Sequence, residues 1–78
     1  MKIVYTKHAK EMLLFRKITK HQVENTIKNP ENKSSGRKGK SILFKDFGNN
    51  LLKVVISQEN STIFVITEHW IAKKRVKK

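Results

Sequence analysis

Residues 42–68 read ILFKDFGNNLLKVVISQENSTIFVITE, and this stretch decides the fold. Three runs rich in apolar and β-branched residues, Ile42–Phe47, Leu51–Ser57 and Thr62–Glu68, are separated by FGNN and QENS. Gly, Asn and Ser clustered between such runs are hairpin turn signals. The pattern predicts an antiparallel meander of three strands.

Upstream, KIVY (Lys2–Tyr5) predicts a short strand. Thr6 is placed to cap a helix over Lys7–Lys17, where His8, Met12 and Phe15 recur at helical spacing and Ala9 and Leu13 widen the same face. Thr19 and Gln22 have the spacing of a capping box, which pairs two otherwise orphaned backbone donors. The second helix carries Val23 and Ile27 and stops at Pro30. Residues 29–40 lack periodicity and predict a polar loop. The expected order is β-α-α-β-β-β, an α+β fold with two helices packed on one face of a small antiparallel sheet. The stripe Met12, Phe15, Val23 and Ile27 is expected to meet Ile42, Phe44, Val54, Ile63 and Val65.

Seventy-eight residues make a single domain, 1–78, with a basic loop at 29–40 and a basic tail at 71–78. A chain of this length buries only about 60–65% of its unfolded surface, so one thin core is what it can build. There is no cysteine, hence no disulfide framework and no thiolate metal site. No apolar run approaches a membrane span, and MKIVYTKHAK lacks the apolar stretch of a secretory signal. A cytoplasmic protein without membrane contact is expected.

Charge is the strongest compositional signal. Eighteen Lys and Arg against six Asp and Glu give +12, spread along the whole chain. That balance points to a polyanionic partner. Within the loop, SSGRKGKS (Ser34–Ser41) ends in the Gly-Lys-Ser of a nucleotide-binding loop. The full motif requires Gly where Ser34 stands, and a helix after it, whereas ILF follows. The loop is therefore expected to meet backbone phosphate through Arg37, Lys38 and Lys40, not to hold a nucleotide.

The stretch YTKHAKEMLLFRKITKHQVENTIKNP resembles the opening of the small prokaryotic domain-of-unknown-function family four-two-five-eight, with His8, Ala9, Arg16, Ile18, Thr19, Val23 and Pro30 in register. VITEHW resembles that family's last strand. Two positions depart: the family's first Arg is Met12 here, and its Gly is Lys17. The element order is similar to that of RelE/ParE toxins, so the resemblance implies a toxin-like fold and kinship. No catalytic set is carried over from it.

The residues themselves nominate a site. His69 and Trp70 precede Lys73, Lys74 and Arg75, so an imidazole, an aromatic ring and several cations crowd together. Trp70 would stack a base and the cations would hold phosphate. His8 and His69 are candidates for proton transfer, with Lys73 and Arg75 supporting the phosphate. Arg16 and Lys17, at a helix end, add phosphate contacts. Spacing supports no metal set, and no cofactor is expected. Two readings follow. One is a metal-independent endoribonuclease of toxin type, acting on RNA such as ribosome-bound mRNA and neutralised by an acidic antitoxin. The alternative is a non-catalytic basic module that binds nucleic acid or protein.

Either reading predicts salt-dependent RNA binding. If about four to six loop and tail cations meet phosphate, log affinity falls against log salt with a slope of roughly −3 to −5. Deleting Lys73–Lys78 should flatten that slope and weaken binding to all sequences alike. A slope near zero in a filter-binding titration would refute it.

Overall fold

The computed structural model describes Lys2–Ala72. Along the chain lie β1 (Lys2–Tyr5), α1 (Lys7–Phe15), α2 (Lys20–Lys28), β2 (Asn32–Ser35), β3 (Lys40–Asp46), β4 (Asn50–Glu59) and β5 (Thr62–Ala72). One sheet holds all five strands in the order β1-β5-β4-β3-β2. The meander β3-β4-β5 is antiparallel as expected. β2 adds antiparallel at one edge, and β1 pairs in parallel with β5 at the other. The α+β class holds, but the sheet is mixed and has five strands. The two helices carry the chain from one sheet edge to the opposite one.

Both helices bury their apolar sides against one face. Ala9, Leu13, Ile18 and Val23 join Tyr5, Leu43, Leu52, Val54, Ile56, Ile63 and Val65 in a single core. Three expectations need correction. Residues 29–40 are not all loop, because Asn32–Ser35 pairs with Ser41–Phe44. All four β2 residues are exposed at the sheet edge, so no apolar alternation marks them as a strand. The stripe of α1 is Ala9 and Leu13; Phe15 stands 77% exposed and His8 is also on the surface. On β3 the inward residue is Leu43, opposite Val54, which turns Ile42 and Phe44 to the other face.

The end of α1 explains part of this. Ile18 N donates to Leu13 O at 2.9 Å and Lys17 N to Leu14 O at 3.4 Å, the paired bonds of a Schellman turn. Ile18 folds back so that it and Leu13 are both buried. Lys17 takes φ of 56°, the left-handed conformation for which glycine is favoured. The family pattern's Gly at this position has that physical reason.

A one-residue bulge sets which β5 side chains face the core. Val55 pairs with Thr67 and Ile56 with Val65, leaving Ile66 without a partner on β4. Side chains alternate along a strand, so the extra residue swaps the two faces beyond it. Ile63 and Val65 point inward before the bulge; Glu68 and Trp70 point inward after it. His69 is thereby turned to the uncovered face, opposite Lys53.

Thr6 holds this bulge. Its N–H donates to Val65 O at 3.1 Å and its hydroxyl to Ile66 O at 3.3 Å. The same hydroxyl oxygen accepts from Ala9 N at 3.1 Å, capping α1. Thr6→Ala removes a helix cap and the bulge contact together. It should cost about 1–2 kcal/mol, read as a lower urea midpoint, and should shift the His69 ring resonances. A loss below about 0.5 kcal/mol with unshifted resonances would refute this role.

Candidate functional site

β1 reaches only as far as Val65, so the remainder of β5 would be an open edge. The end of α1 covers it. Arg16 Nη1 donates to Glu68 O at 2.9 Å and contacts His69 Nδ1 at 2.8 Å. Trp70 Nε1 donates to Arg16 O at 3.1 Å, satisfying a carbonyl left orphaned where the helix ends. Arg16 and Trp70 therefore clasp each other across the helix–strand junction.

A guanidinium does not deprotonate in a protein, so Arg16 is the donor and His69 Nδ1 the acceptor. The neutral imidazole then carries its proton on Nε2. Burial, then the charges of Arg16, Lys53 and His8, hold the His69 pKa below its usual value. The ring is thus neutral at physiological pH. It carries an N–H donor on the sheet face it shares with Lys53, its cross-strand neighbour. The Nε2–H of His69, the guanidinium of Arg16 and the ammonium of Lys53 are donors, and donors that carry positive charge suit an anion.

Glu68 lies under it. The residue is fully buried, and among the described residues neither carboxylate oxygen has a hydrogen-bond partner. Burial raises its pKa to about 7, against the lowering pull of Arg16. Tyr5, on β1, donates to Glu24 Oε2 at 3.4 Å. Its phenol pKa is raised by burial first, then by Glu24, with Glu68 adding to it.

The expected site residues divide. Arg16 and His69 come together, and the charge of His8 is felt at His69. Lys17 is exposed at the Schellman turn. Arg37 and Lys38 occupy a single 3₁₀ turn between β2 and β3, and Lys40 opens β3 opposite Ser57. His69 lies in the row of Lys53 and Phe44, four residues further along β3, so the loop cations sit about 13 Å away along the strands. Lys73, Lys74 and Arg75 lie outside the described residues. Trp70 is not a free stacking platform. Its ring packs edge-on against Phe47, with centroids 6.1 Å apart, on the core side of the sheet.

Lys53, Phe44 and Glu68 were not expected at the site. A lone cation inside LLKVVI was a usable signal for Lys53, since strand alternation puts it on the face opposite Leu52 and Val54. Nothing local places it beside His69, because that neighbour depends on the bulge. Among the described residues there is no cluster of three His, Cys, Asp or Glu side chains placed to hold a metal ion, and no helix long and apolar enough to cross a membrane.

Glu68 gives the fold a pH dependence of known sign. Its pKa rises from 4.5 to about 7 on folding, so its stabilising neutral form is fully present below 4.5 and lost as pH climbs through about 7. Urea melts of the wild type should show falling stability over that window. Glu68→Met should flatten the fall, gaining about 1–3 kcal/mol more at pH 8 than at pH 5. Parallel curves for the two proteins would show that Glu68 does not titrate there.

No curated protein and no solved structure matches this chain. The family described as Domain of unknown function (DUF4258) matches residues 5–67, from the inward tyrosine of β1 to the residue beyond the bulge. The chain belongs to that family.

Proposed function

We propose that this protein binds single-stranded RNA and holds a phosphodiester against Arg16, Lys53 and His69. The observation that carries the reading is the 2.8 Å contact between Arg16 Nη1 and His69 Nδ1. It occupies the ring lone pair and fixes the tautomer, so the imidazole offers a proton donor to a phosphate oxygen and not a base to a ribose hydroxyl. Around it, the net charge of +12 supplies the long-range attraction that nucleic acid requires. A sheet with one face that no helix of the described residues covers suits an unpaired strand better than a duplex, whose major groove is read by a protruding helix or ribbon. Both helices here are packed beneath the sheet.

The toxin-like ribonuclease reading needs more from the same residues. His69 would take a proton only after Arg16 releases Nδ1. The lowered pKa favours that chemistry, since it keeps the ring uncharged. Cleavage is therefore the measurement that divides the two readings.

Lys53→Ala should weaken binding to all RNA sequences alike and reduce the salt slope by about 1. Labelled RNA incubated with the wild type in EDTA, with and without ribosomes, should remain intact. Unchanged affinity in Lys53→Ala would remove the phosphate site. Wild-type cleavage that falls by about 10²–10⁴ in His69→Ala would replace the binding reading with the ribonuclease.

A further inference from the structure

The sheet face turned away from the helices carries a row that crosses three strands: Phe44 on β3, Lys53 on β4 and His69 on β5. Arg16 closes the row at the β5 edge. Beside this row, toward Leu51 and Ile71, the face dips into a hollow of about 280 Å³ whose lining runs from β2 across to β5. Phe44, Leu51 and Ile71 form its apolar wall, and Asn32, Ser34 and Glu31 contribute polar groups. Leu51 and Ile71 are paired across β4 and β5, and Asn32 is opposite Phe44 on β2.

We propose that this hollow takes one unpaired nucleobase of the strand whose phosphodiester sits on Lys53, His69 and Arg16. The inference rests on the RNA-binding reading and deepens it. Three features fit a base in particular. The volume lies just below the range of ordinary ligand pockets, so it suits a single flat ring system. An aromatic side chain backs the hollow, and any base can stack on one. The rim combines amide, hydroxyl and carboxylate groups, whose donors and acceptors match the edge of a base, with Lys33 and Lys45 available to a phosphate beside it.

The spacing across the sheet agrees. Neighbouring strands stand about 4.8 Å apart, so Phe44 and His69 are separated by about 10 Å. One nucleotide can bridge that gap, with its base at Phe44 and its phosphate at Lys53 and His69. The local charge favours a phosphate-bearing occupant over an acidic or neutral protein segment with an apolar anchor. Glu31 is the acidic group on the rim, and it is tied to Lys45 at 4.0 Å and accepts from Asp46 N at 3.4 Å. Phe44 thus takes over the stacking role that Trp70, locked against Phe47, does not fill.

Two measurements on the full chain test the proposal. Uncharged nucleosides titrated into isotope-labelled wild-type protein should shift the amide resonances of Asn32, Ser34, Phe44, Leu51 and Ile71 and leave Arg16 and His69 unmoved. Phe44→Ala should weaken single-stranded RNA binding by about 5- to 150-fold, the usual worth of one stacked base, without altering the salt slope. Wild-type RNA binding that Phe44→Ala retains in full, with no nucleoside shifts, would overturn the base pocket and leave the phosphate site standing. Equal shifts from phenylalanine amide would mark a generic apolar hollow and overturn it too. A wild type that binds no RNA at low salt fails the underlying reading, and the nucleoside titration then decides the pocket independently.

Discussion

Thr6 joins the helical and sheet halves of this protein through one backbone N–H and one hydroxyl. It closes the parallel pairing of β1 with β5, caps α1, and holds the carbonyl of the bulged residue Ile66. The rest of the structure depends on that bulge. In a regular ladder the alternation of Ile63 and Val65 would continue to Thr67 and His69. The ring of His69 would then be inside and the carboxyl of Glu68 outside. With the bulge, the imidazole faces the open side of the sheet beside Lys53, and the acid goes into the core.

The buried acid is the cost of that arrangement. Glu68 is fully buried with neither carboxylate oxygen hydrogen-bonded among the described residues. Burying a carboxylate in this way strongly favours its neutral form. Its backbone carbonyl meanwhile holds Arg16, and Arg16 in turn holds His69. Stability and the candidate site are therefore coupled through one residue pair, since both the side chain and the main chain of Glu68 act at the same junction.

The two faces of the sheet have separate tasks. The inner face meets the helices with Leu43, Leu52, Val54, Ile56 and Val65, all buried. The outer face mixes Phe44, Val55, Leu51 and Ile71 with Lys53 and His69, and all are half-buried. A surface with that mixture of aromatic, aliphatic and cationic groups is suited to a ligand with flat rings and negative charge.

By itself the sequence determined the local elements. Alternation and turn chemistry in residues 42–68 specified the meander, and the side-chain caps at Thr6 and Thr19 specified where both helices begin, because those signals act over three or four residues. The net charge was also legible; that Arg16 and His69 meet at 2.8 Å was not, because the two lie far apart along the chain. Tertiary structure alone decided the rest. β2 has no apolar pattern of its own and becomes a strand by pairing with β3. The burial of Ala9 and Leu13 in place of Phe15 follows from how α1 lies on the sheet. Trp70 turned toward the core, and His69 came to lie beside Lys53, because one unpaired residue at Ile66 shifted the register of β5. A register is a relation between distant segments, and no window along one strand contains it.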